Sequence, residues 1–166
     1  MQVPVGVDPQ QVSRPKSTVE NAMPPIARIF VKAAFIHFLV AFLLGALMML
    51  DRWLAVGQWL RVVYMSQLHL LVVGWITQLA VGVAYWIFPR FLKEQDRRPR
   101  GSDALAWFVL ASLNAGLLLR FLIEPFYLMG PKPWLAALMA LSGVLQALAA
   151  LGFGWIIWGR IRAMER

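Results

Sequence analysis

IARIFVKAAFIHFLVAFLLGALMML, residues 26–50, decides the fold. Its two cations, Arg28 and Lys32, fall in the first two turns, and from Ala33 to Leu50 no side chain carries a formal charge. An uncharged apolar run of ~18 residues or more is long enough to cross the ~30 Å hydrocarbon core of a bilayer as a helix. Working outward, three more runs share this property: Trp59–Phe88, Ala104–Leu128 and Pro133–Trp158. The second is long enough to tilt or project. Short connections between four spans predict an all-α integral membrane four-helix bundle of up-down-up-down topology. The chain divides into a flexible N-terminal tail, 1–25, and a four-transmembrane-helix domain, 26–166.

Composition agrees. The chain is 60% hydrophobic and 14% charged, whereas soluble domains run at ~45–50% and ~25%. So little charge cannot cover a soluble surface of this size. With no cysteine, disulfides, zinc–thiolate sites, iron–sulfur clusters and covalently attached c-type haem are excluded. The tail is polar and proline-rich (Pro4, Pro9, Pro15, Pro24, Pro25) and has no apolar core, unlike a signal peptide.

The net charge of +8 matters through its distribution. Twelve basic residues lie on the N-terminal segment, the second connection and the C-terminus, and four (Arg52, Arg61, Arg120, Lys132) toward the first and third connections. The positive-inside rule then predicts both termini in the cytoplasm and an inner (cytoplasmic) membrane location, multi-pass. Arginines facing anionic lipid account for the basicity, so no nucleic-acid partner is expected. Trp53, Trp59, Trp86, Trp134 and Trp158 fall near span ends, where amphipathic rings settle.

Chemistry points to the only two histidines, His37 and His69, both inside spans. Ionisable groups at membrane depth are costly and usually functional. His37 lies ten residues past Ala27 and His69 ten past Trp59, or ~15 Å at 1.5 Å per residue, so in antiparallel helices both approach the midplane. Their helical faces are apolar, with small residues Ala33, Ala34 and Ala41 around His37. Such faces suit a flat porphyrin, and imidazole ligates haem iron. His37 and His69 are therefore the expected iron ligands of a noncovalent haem b. The same residues could instead bond a backbone carbonyl, a serine or water within the bundle. Both could serve one haem, separate sites, or a pairing across a homodimer.

Other polar residues have quieter readings. A stripe of Gly74, Gln78, Gly82 and Tyr85 reads as close packing sealed by an amide bond, or as the wall of a quinone or proton path. Gln78 follows His69 by nine residues, about 180° around an α-helix, which places it off the His69 face. Arg120 and Glu124 have the spacing of an intrahelical ion pair; Arg120 could also hold haem propionates. Asn114 has no assigned role. Ser142, Gln146, Ala150 and Gly154 form a small or polar seam for helix packing, within the protomer or across a dimer.

One segment carries a family likeness. QLHLLVVGWITQLAVGVAYWIFPR, residues 67–90, has a histidine, Gly-Trp five residues on, a later glycine and a Pro-Arg ending. It resembles the histidine-bearing helices of haem–copper oxidase subunit I, notably in C-family oxidases, nitric oxide reductases and small subunit-I-like relatives. Ala27-to-Met48, with Gly45-Ala-Leu-Met, resembles a first span of those small relatives. The resemblance covers roughly a third of the chain and implies haem b ligation for His69. Full subunits have about twelve spans and about six histidines. Four spans and two histidines cannot build a binuclear centre, so no independent oxygen- or NO-reducing enzyme is expected. The expectation is a cytochrome b-like membrane protein in electron transfer or haem-based gas or redox sensing. Its partners would be the lipid bilayer, a homodimer or larger respiratory complex, and a quinol or cytochrome redox partner. The alternative is a non-haem accessory or assembly subunit of a respiratory complex.

Overall fold

The computed structural model describes residues 23–54, 59–88 and 103–164. Among them there is helix and no strand. Four helices are long and apolar enough to cross a membrane. The first is α1, Pro25–Leu54. The second is continuous but mixed: α2, Trp59–His69, passes into a π-helical stretch, Leu70–Thr77, and then into α3, Gln78–Ile87. The third and fourth are α4, Asp103–Met129, and α5, Pro133–Met164. Residues 1–22 of the expected tail, the basic second connection and the last two residues lie outside the described residues.

The boundaries follow local chemistry. Both α1 and α5 begin on proline, which has no N–H to leave unsatisfied and a backbone angle already suited to a helix start. The second span ends at Ile87 because Phe88 precedes Pro89; the proline ring drives the preceding residue out of helical geometry, and Phe88 is extended (φ −60°, ψ 134°). At the other end of the chain, the fourth helix runs six residues past the expected Trp158. Its 32 residues would reach about 48 Å, so part of it projects beyond a ~30 Å core.

Packing follows chain order. The first span packs on the second, the second on the third, and the fourth almost wholly on the third. Ala27 and Phe30 lie against Gly82, His37 against Gly74 and Ala41 against Gln67, so the first two spans run in opposite directions. Ser66 meets Glu124, Gln78 meets Asn114 and Tyr85 meets Asp103, which gives the same sense to the second and third. Buried Ala27, Phe30, Val81, Tyr85, Ala106, Val109 and Ala149 form the main core. The outer surface is apolar as well: Trp155, Leu151 and Met49 are 80%, 72% and 72% exposed. That is the surface of a chain solvated by lipid.

The fourth-span seam is half as expected. Ser142 is buried and donates to the Gly116 carbonyl at 2.9 Å, and Gln146 packs beside it. Ala150 and Gly154 face outward; the interface continues instead through Ala149, Gly152 and Ile156. Four-residue steps drift about 40° per step from a 3.6-residue turn, so a strict fourfold seam cannot stay on one neighbour.

Candidate functional site

Each histidine belongs to a different polar cluster. His69 ends α2, one turn after the fully buried Ser66. Across from them, α4 supplies Glu124, whose side chain is only 7% exposed. Ser66 Oγ donates to Glu124 Oε2 at 3.0 Å, and His69 Nδ1 lies 3.4 Å from the same oxygen. His69 Nδ1 is also 2.7 Å from the Met65 carbonyl oxygen. A carbonyl oxygen only accepts, so Nδ1 carries the proton and donates. In the neutral ring the lone pair then sits on Nε2, which makes no hydrogen bond among the described residues. The histidine side chain is 27% exposed.

Arg120 approaches the same carboxylate from one turn earlier, Nε to Oε1 3.5 Å. The intrahelical pair expected from spacing is present, but Arg120 Nε is buried without a hydrogen bond. A four-residue spacing reveals an Arg–Glu pair; it says nothing about which helix lies opposite. Glu124 as partner of His69 and Ser66 was therefore invisible in the sequence.

The second cluster surrounds His37. A Cβ added at Gly74 would lie 2.8 Å from His37 Cβ and Cγ and from Leu117 Cδ2, so His37 occupies a notch that glycine leaves open. Beside it lies the side chain of Gln78, which is fully buried. Gln78 Nε2 donates to Asn114 Oδ1 at 3.3 Å, and Asn114 Nδ2 donates to the Leu110 carbonyl at 2.8 Å. Asn114 thus has a role, tying the second span to the third. His37 Nδ1, Gln78 Oε1 and Trp75 Nε1 are buried without partners.

The π stretch explains why both clusters meet the third span. Uninterrupted α-helix would put Gln78 about 180° from His69. The π-helix bonds i to i+5, and one extra residue absorbed in a wider turn already cuts that offset to about 80°. Thr77 Oγ1 reinforces the geometry by donating to the Val72 carbonyl, five residues back, at 2.9 Å. His69 and Gln78 both bond α4, so the expectation that they serve separate faces is corrected. The apolar pattern of this segment does not distinguish a π turn from an α turn.

The two imidazoles are not brought face to face. His37 sits at the level of Gly74, five residues along the second span from His69. Among the described residues, no three His, Asp or Glu side chains gather as a metal-holding group. A haem asks less of a protein, one or two axial nitrogens. His69 fits that demand: its Nε2 is open, and Nδ1 is anchored to the Met65 carbonyl with the Glu124 carboxylate 3.4 Å away, the kind of partner that ligating histidines usually have. An apolar groove of about 560 Å³ lies farther along the second span, lined by Val73, Ile76, Thr77, Leu113, Ala149 and Phe153, and His69 is not part of its lining. His37 fits less directly, because the notch holds its ring and Nδ1 lacks an anchor. No family model, curated protein or solved structure matches the chain.

Proposed function

We propose that this is a multi-pass protein of the cytoplasmic membrane that binds haem b noncovalently, with His69 Nε2 as an axial ligand. The observation that carries the reading is the anchored Nδ1 and open Nε2 of His69. The likeness of residues 67–90 to histidine-bearing helices of haem–copper oxidases supports the same assignment. The bundle is up-down-up-down, with both termini cytoplasmic by the distribution of basic residues. Arg120, whose Nε has no hydrogen bond, is the cation suited to propionates.

When bound, haem would supply one-electron or gas-binding chemistry. The chain's own residues do the positioning. Met65 and Glu124 hold the His69 ring in one orientation, and Ser66 holds Glu124. His37 is the second candidate ligand and would have to leave the Gly74 notch to reach a haem on His69. The role is electron transfer if His37 closes the site, and gas or redox sensing if it stays packed.

A non-haem accessory subunit is the second reading, favoured by the way His37 fills space between Gly74 and Leu117. Oxidised and dithionite-reduced visible spectra of the purified protein separate the two. A sharp reduced b-type band that collapses in His69→Ala is expected. Loss of the band in His37→Ala as well would place both histidines on iron; carbon monoxide binding by the wild type would mark an open site. A colourless protein from haem-sufficient cells, or a spectrum unchanged in His69→Ala, overturns the proposal.

A further inference from the structure

A groove of about 550 Å³ separates the end of α1 from the start of α2. Its floor is apolar, with Gly45, Met48, Met49, Leu60 and Leu68, and its rim carries Arg52 and Arg61, one from each span, together with Asp51, a net positive charge. Both arginines sit at helix ends, Arg52 in the last turn of α1 and Arg61 in the first turn of α2. In a membrane-spanning pair that is headgroup depth. Of the four basic residues on this end of the molecule, two line this one groove. Among the described residues neither has an ion-pair partner.

Two arginines outweigh the one carboxylate of the rim, and guanidinium is built for bidentate contact with phosphate. An apolar floor beneath asks for hydrocarbon attached to that anion. Tyr64 and Gln67 line the inner part, where Gln67 Nε2 donates to the Ala41 carbonyl at 3.1 Å and ties the spans together. The wedge is therefore tied together at depth with its arginines toward the helix ends, the order of an acyl chain below a headgroup. A quinone offers no anion for the rim. Inorganic phosphate offers no chain for the floor. We propose that the groove is a binding site for an anionic phospholipid, its phosphodiester held by Arg52 and Arg61 and an acyl chain lying over Met48, Met49, Leu60 and Leu68.

The test is native mass spectrometry of the full chain in mild detergent, titrated with phosphatidylglycerol, phosphatidylcholine or inorganic phosphate. The double variant Arg52→Gln/Arg61→Gln is compared with Arg28→Gln/Lys32→Gln, which removes two exposed cations near the opposite end of α1. Both change the net charge equally, so a general electrostatic attraction moves both alike. Expected is one retained phosphatidylglycerol per chain, favoured over phosphatidylcholine in the wild type. Affinity falls at least about tenfold in the Arg52/Arg61 variant, the loss expected for one charge-assisted contact, and less than about twofold in the control. Circular dichroism confirms that each variant stays helical. Equal retention by both variants, an equal fall in both, no lipid preference in the wild type, or phosphate binding as tightly as lipid would overturn the proposal.

Discussion

Replacing Gly74 with alanine adds one methyl group where the first, second and third spans meet. That carbon would lie 2.8 Å from His37 Cβ and Cγ and from Leu117 Cδ2, well inside the ~3.5–4.0 Å of optimal carbon contact. Rotation of His37 relieves nothing at Cβ, which is bonded directly to the α1 backbone, so the helix itself must shift. Overpacking of this kind costs about 1–3 kcal/mol, set against a gain of up to ~1 kcal/mol from replacing glycine inside a helix. Gly154 isolates the second contribution, because a Cβ there meets nothing within 4 Å. The difference between Gly74→Ala and Gly154→Ala is therefore the steric cost alone, about 1–3 kcal/mol, or roughly 5- to 150-fold in the unfolding constant. Reversible unfolding in bicelles, followed by tryptophan fluorescence, measures it. Histidine-selective ¹⁵N labelling adds a local readout, since the chain has only two imidazoles. Gly74→Ala should move the His37 signals and leave those of His69 in place. Equal stability of the two alanine variants, within about 0.5 kcal/mol, would refute the packing of His37 against Gly74.

The polar clusters give three more predictions. Glu124→Leu deprives Ser66 of its acceptor and His69 of the carboxylate beside it, and should cost about 1–3 kcal/mol; Glu124→Gln keeps an acceptor and should cost less, and equal costs would mean that the carboxylate does not accept from Ser66. Ser142→Ala removes one bond to the Gly116 carbonyl without enlarging the side chain, so a loss of about 0.5–1.5 kcal/mol is expected in the same unfolding assay. Gln78→Leu breaks the bond to Asn114 at a cost of about 1 kcal/mol and removes the amide beside the His37 ring; the His37 ¹⁵N shifts should move with the loss of that polar neighbour, whereas unchanged shifts would show that Gln78 does not govern that ring.

Much of this arrangement can be read from residue order, and the readable parts share a cause. A bilayer of fixed thickness demands apolar runs of fixed length, so the four spans and their approximate ends were legible without a structure. Arg120 and Glu124 were legible as a pair because neighbours on one helix depend only on its pitch. Ser142 announced its packing role because a hydroxyl in an apolar span needs an acceptor. The partnerships of His69 with Glu124 and of Gln78 with Asn114 were not legible. Each depends on how one helix is rotated against another, and in this second span the rotation is reset by a π stretch whose sequence, LLVVGWIT, is as apolar as its α-helical surroundings.

The division follows from the range of the forces involved. Hydrophobic length and backbone self-satisfaction act within a single segment, so the sequence by itself determined four helices long and apolar enough to cross a membrane, with an ionisable group inside the first three. Pairing between spans depends on close contacts of small and polar side chains across helices, at Gly74, Gly116, Ser66 and Gln78. Only the tertiary structure could decide that His69 is anchored with one nitrogen free while His37 is wedged in a notch. Which neighbour a helical face meets is a property of the packed helices together, not of any one run of residues.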